Sequence, residues 1–376
     1  MLAADWPARL LDIEALAGQL AGGEFCERLN APGPGTGMTP AGWLHVLAER
    51  ALRAMSADLA GDGKDWPKLW AFCCGLAGEE LREELDARAS VIAGDGFAVT
   101  PGVPVPWYQP TMAADVLLAR DAYGARFLLV APFSDPARPA VPDHWYAWDL
   151  DWCVDDFVVA AGAFSSAGEA LAEWGASVGP AAAAGELAAC SPELCVRLLA
   201  PAAPGSIQSE SVIGNEPAEF LCEIPRMSRR ASVLTVSLGR RLTGTRPSLP
   251  RDSLSSATED FLGRHAGRLG DTREALNLLL AEWGPQTPPD ERSLYACSPH
   301  RIQVCAAILR DSYEPDWANA ALTLLPAWTE WCAARISLDA EAAARALAAA
   351  RAEALDLASE IRTISEDETP FRRPEW

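Results

Sequence analysis

Four aspartates crowd into one string, Trp148-Asp149-Leu150-Asp151-Trp152-Cys153-Val154-Asp155-Asp156. Grouped carboxylates supply the oxygen ligands that Mg²⁺ takes, and the ion then bridges to substrate phosphates. Asp149, Asp151, Asp155 and Asp156 therefore nominate a Mg²⁺-dependent enzyme. A second set, Cys297, His300 and Cys305 with the more distant Cys332, consists of side chains zinc accepts. It lacks a Cys-x-x-Cys pair, however, and Ser298-Pro299 reads as a helix start, an N-cap followed by proline in the first turn. Cys305 then shares an apolar face with Ile302, Ile308 and Leu309. The ten cysteines are expected to be reduced thiols, mostly buried as small hydrophobes, and no cofactor is expected. A third set is basic: between Ile224 and Arg251 lie Arg226, Arg229, Arg230, Arg240, Arg241, Arg246 and Arg251 and no acid. Such a block binds phosphate or nucleic acid, or docks on an acidic surface of its own chain or another. The fourth is tryptophan, fourteen in all. Trp145 beside Asp149 and Asp151 forms an aromatic-acidic patch of the kind that anchors interfaces.

These residues need elements to hold them. From His144 to Trp152 the polarity alternates: Tyr146, Trp148, Leu150 and Trp152 share a face with His144, and Ala147, Asp149 and Asp151 share the other with Trp145. A period of two predicts a strand. The tryptophan face is expected in the core and Asp149 and Asp151 on a wet face, with Asp155 and Asp156 in the following turn. Residues 126–133 and 157–164 read as two further strands. Ser166 with Glu169 three residues later is a capping-box start for a helix through Leu171 and Trp174. This β-β-β-α order over residues 126–177 resembles the small sheet-plus-helix modules of HicB-type antitoxins. The resemblance lies in element order, implies an antiparallel meander with a helix on one face, and carries no function with it. Aspartate-rich motifs also resemble those of terpene and prenyl-diphosphate enzymes. There the carboxylates stand one turn apart on a helix; here they lie on a strand and its turn, and Ala160 stands where a further acid would fall.

Around this module the chain reads as helical. Residues 1–95 predict a helical N-terminal domain, 110–200 the sheet-plus-helix module, 212–364 a mainly helical C-terminal domain, and 365–376 a flexible tail. Within 231–238 a short apolar run reads as a strand. Ser191-Pro192, Ser298-Pro299 and Glu314-Pro315 open helices, and Pro326 is expected to kink or end the last of them. Asp339 caps a long alanine-rich helix, whose seam Leu347, Ala350, Ala354, Leu357, Ile361 and Ile364 is expected to dock near Leu322, Leu325 and Trp328. The fold class is thus α+β and mainly helical, a small antiparallel sheet with a packed helix between helical regions.

Composition narrows the function. The chain has 376 residues, 49% hydrophobic and 22% charged, enough apolar surface for packed cores. Two or three domains are expected, since one core rarely grows past ~250–300 residues. No apolar run is long enough to span a membrane, and the acidic start lacks a signal-peptide pattern, so a cytoplasmic location is expected. The balance of 31 Lys+Arg against 52 Asp+Glu gives a net charge of −21, which repels a phosphate backbone. None of the four histidines, His45, His144, His265 and His300, neighbours a G-x-S-x-G nucleophile. No Walker A or post-strand G-x-G-x-x-G motif appears. The leading expectation is a non-enzymatic acidic interaction or regulatory protein that engages a basic protein partner, as acidic antitoxins and immunity proteins do. A Mg²⁺-dependent enzyme on the aspartates and a nucleic-acid-associated protein on the arginines are the alternatives. A homo-oligomer is compatible with each.

Overall fold

The computed structural model describes residues 16, 46, 49–54, 57, 111–112, 114–134, 142–153, 157–182, 185–202, 218–238, 252–265, 273–285 and 288–364. Most of the expected N-terminal helical domain and all of the tail from 365 lie outside these residues. From the former, residues 49–54 are helical and bury Ala51 and Leu52.

One antiparallel sheet is built from β1 (Thr111–Met112), β2 (Leu117–Arg120), β3 (Arg126–Ser134), β4 (His144–Asp151), β5 (Phe157–Phe164) and β6 (Ala188–Ala189). Its order is β5-β4-β3-β2-β6, with β1 also on β3. The central strand, β3, is apolar along almost its whole length and buried on both faces, as an inner strand covered on both sides must be. Gly124, at φ 79°, supplies the left-handed residue that the β2–β3 turn requires.

Both faces of the sheet are covered by helix. Helix α1 (Ala167–Val178) begins where the Ser166 hydroxyl accepts from the Glu169 amide, 3.1 Å. It lays Ala170 and Trp174 on Leu128, Val130 and Ala147. On the opposite face, α2 (Pro192–Leu198) and α3 (Ala218–Ser237) bury Cys195, Leu198, Met227, Ala231 and Leu234 against Tyr146, Trp148, Leu150 and Trp152. Residues 231–237, expected as strand, are therefore the last turns of α3. A short apolar run does not separate strand from buried helix; the spacing from Met227 through Ala231 to Leu234 is helical. That helix opens the region expected to be C-terminal, yet it completes the core of the sheet.

The remaining helices are α4 (Asp252–His265), α5 (Arg273–Ala281), α6 (Glu291–Leu294), α7 (Pro299–Ser312), α8 (Pro315–Arg335) and α9 (Ala340–Ile364). They enclose a second core rich in aromatic rings, among them Phe261, Trp283, Tyr295, Trp328 and Trp331. Helix α8 runs through Pro326 without ending. An interior proline costs about 3 kcal/mol, but Leu322, Leu325, Trp328 and Trp331 on either side of it are all buried and together outweigh that. Asp339 caps α9 by accepting from the amides of Glu341 and Ala342 at 3.0 and 2.9 Å. The helix docks on the core containing Leu322, Leu325 and Trp328, and the fully buried residues among its described side chains are Ala342, Ala346 and Ala350. Of the expected seam, Ala350 is buried, Leu347 and Ala354 are half-buried, and Leu357, Ile361 and Ile364 lie outside the described side chains. Alanines allow close approach of α7 and α8, and the Arg310–Glu353 ion pair (2.7 Å) ties α7 to α9. The architecture is α+β and mainly helical. Among the described residues no helix is long and apolar enough to cross a membrane.

Candidate functional site

Asp149 and Asp151 project from β4 toward α1 and the C-terminal helices, and both are buried, at 7% and 6% exposure. The expected wet face is covered. Asp149 accepts from Arg126 through both oxygens, Nε–Oδ1 at 2.8 Å and Nη2–Oδ2 at 2.6 Å. The Trp174 indole donates to Oδ1 at 3.1 Å, and Arg126 also reaches the Ser177 hydroxyl at 3.2 Å. Strand register makes this arrangement, because Leu128 pairs with Asp149 and Arg126 with Asp151, so Arg126 lies diagonally across from Asp149 on the same face. Burial alone would lower the Arg126 pKa, but the Asp149 carboxylate more than compensates and raises it. A carboxylate held in this bidentate way is neutralised and is not placed to coordinate a cation. Trp145 is half-buried on the same face, in the cluster with Trp174. Asp155 and Asp156 lie outside the described residues.

Beyond Asp149, β4 runs into the junction with the C-terminal helices. Asp151 Oδ1 accepts from the Cys153 amide at 2.7 Å, a tight turn of the Asx type. That turn aims the Cys153 thiol at the start of α7, where Sγ lies 3.3 Å from the Ser298 hydroxyl. The carboxylate of Asp151, the thiol of Cys153 and the ring of His300 all come within 4.8 Å of one another. Cys153 is pushed up to about 12, chiefly by burial and then by the Asp151 charge, so on its own it is a thiol and not a nucleophile. Nearby, Asp121 is raised by burial, against the pull of amides from Arg126, Ala125 and Gly124.

Arg301 holds the junction. Its side chain is 1% exposed. It donates to the carbonyls of Cys153 (2.7 Å), Ser293 (2.8 Å), Ala296 (3.0 Å) and Trp152. One guanidinium fork thus joins the end of β4 to the α6–α7 loop. Gly284 makes room: a Cβ there would stand 3.0 Å from the Arg301 Cζ.

The arginine block proves largely internal where it is described. Arg230, fully buried, stacks over Tyr146 (4.8 Å) and Phe133 (5.8 Å) and donates Nε to His144 Nε2 at 3.1 Å. Since guanidinium only donates, that imidazole nitrogen is the acceptor. Arg226 pairs with Glu223, which also accepts from Tyr146 at 3.1 Å. Arg229 is half-buried; Arg240 and Arg241 lie outside the described residues. Cys297, Cys305 and Cys332 are buried in the C-terminal core, while His300 is exposed.

Comparison with protein-family models, with curated proteins and with solved structures finds no match to this chain. Function is therefore argued from its own residues. A concave feature also lies at the sheet's edge. Strand β5 ends the sheet, and a cleft of about 550 Å³ wraps round it. Ala160 and Gly162 leave the space, and Asp149, Glu173 and Trp174 line one side, Glu223 and Arg226 the other. Neither the cleft nor the Asp151–Cys153–His300 cluster was legible in sequence, since each gathers residues far apart along the chain.

Proposed function

We propose that this protein is a non-catalytic interaction protein that receives a basic, extended segment of a protein partner in the cleft along β5. The observation that carries the reading is the cleft along the edge strand: Asp149 and Glu223 in its lining are paired with Arg126 and Arg226, the exposed Glu173 adds a net negative charge, and the chain as a whole carries −21. An edge strand offers backbone groups to an added strand, and alternate side chains of the guest give specificity. Acid around that edge selects for Lys and Arg and speeds encounter at low salt. The arginines around the sheet support the same reading, because Arg126, Arg226, Arg230 and Arg301 are each engaged within the chain.

The test is titration of the full chain with a fluorescent peptide of alternating arginine and valine. Saturable binding that weakens with salt is expected. It should be lost in Glu173→Lys and in Gly162→Val, which fills the cleft; the nearest atom to a Cβ at Gly162 is 3.7 Å away, so the first added carbon is tolerated. Glu330→Lys, an identical charge change at an exposed position of α8, should leave binding intact. If Glu330→Lys weakens binding as much as Glu173→Lys, the peptide senses only net charge and the reading fails.

A further inference from the structure

We infer that Asp151, Cys153 and His300 form a zinc site whose fourth position opens to solvent. The inference is independent of the β5 cleft. The three side chains offer one oxygen, one sulfur and one nitrogen, all within 4.8 Å of one another. Zinc takes this mixture, with bonds near 2.0–2.3 Å that set tetrahedral neighbours about 3.5 Å apart. Asp151 and Cys153 are already buried while His300 is exposed, so of the three ligands the imidazole is the one with solvent around it in which to turn. A thiol and an imidazole exclude the hard cations Mg²⁺ and Ca²⁺, which take oxygen.

Two features show the buried half of the site to be built. The Asx turn leaves Asp151 Oδ2 unused by the Cys153 amide, which takes Oδ1, and the Arg301 fork clamps the carbonyls of Trp152 and Cys153. Ligands fixed by such outer contacts lose little freedom on binding metal. Zinc binding releases the Cys153 proton to solvent and leaves a thiolate ligand. Three protein ligands and an exposed histidine leave the fourth position to water or to a group from outside. That is the pattern of an open site and not of a closed structural one.

The test uses the full chain, stripped with chelator and reloaded with Zn²⁺ or with Co²⁺ as a spectroscopic probe. About one ion per chain is expected, and Co²⁺ should show tetrahedral absorption with a thiolate-to-cobalt charge-transfer band. Cys153→Ser should abolish the band, and His300→Ala, at an exposed position, should weaken metal binding at least about tenfold with an unchanged near-ultraviolet circular dichroism spectrum. Cys297→Ser should retain the band. Absence of stoichiometric binding, a cobalt spectrum without the thiolate band, or binding that survives both Cys153→Ser and His300→Ala would overturn the site.

Discussion

Asp149 shows how a carboxylate in an aspartate-rich string becomes part of a core. Its two oxygens meet Arg126 and its Oδ1 also meets Trp174. Removing its charge leaves a guanidinium with little solvent to turn to. Asp149→Asn should therefore cost about 1.5–3 kcal/mol, the range for hydrogen bonds to charged groups, read from urea unfolding; a change within about 0.5 kcal/mol would mean the pair is solvated after all. Trp148→Ala, on the opposite face and fully buried, should cost about 3–5 kcal/mol. Asp290 carries a pH dependence. Burial raises its pKa, but Arg120 and the Ser293 hydrogen bonds outweigh that, and the net shift is downward. A depressed carboxyl contributes stability above its unfolded value, near 3.9, and loses it as pH falls through the folded value. Urea midpoints should thus drop below about pH 4, and Asp290→Asn should be less stable than the parent at neutral pH yet lose less on acidification.

At the scale of elements, α9 illustrates packing by small residues. Ala342, Ala346 and Ala350 are fully buried, so the helix lies close to α7 and α8 and has no room to spare. Ala346→Leu should cost about 1–3 kcal/mol by overpacking. Leu355→Ala, at a position 68% exposed, should stay within about 0.5 kcal/mol. The elements themselves were largely legible in the sequence. Strong alternation marked β4, caps with proline marked α2, α7 and α8, and Asp339 marked α9. What resisted were β1, β2 and β6, too short for periodicity to register, and α3, whose tail reads equally as strand. The burial of Asp149 resisted for a different reason. A polar residue on one face predicts water there unless a distant partner is known, and Trp174 lies 25 residues on.

At the scale of the molecule, Arg301 couples two cores. The sheet cluster and the C-terminal aromatic cluster are distinct, and four carbonyls from both sides converge on one guanidinium. Each acceptor left bare in a buried site costs about 1–3 kcal/mol. Arg301→Leu is expected to split thermal unfolding into two steps, against a single step for the parent, in calorimetry; a single shifted transition would mean the cores communicate by another route. The sequence marks Arg301 only as the third residue after a helix cap. No spacing rule connects it with Trp152, 149 positions away, just as none connects His300 with Cys153. Sites assembled across such intervals become readable only once the two cores are set side by side.

Trp328 and Trp331 lie with ring centroids 4.8 Å apart at 31°. Two identical chromophores so close and so inclined share their electronic excitation. The pair should produce a bisignate couplet in the ultraviolet circular dichroism spectrum, one that is lost when Trp328 is replaced and weakened when Trp331 is, since Trp283 also lies 6.0 Å from Trp328. Because both rings belong to the C-terminal core, that couplet is an optical reporter of one half of the molecule alone, already written into the chain and needing no label.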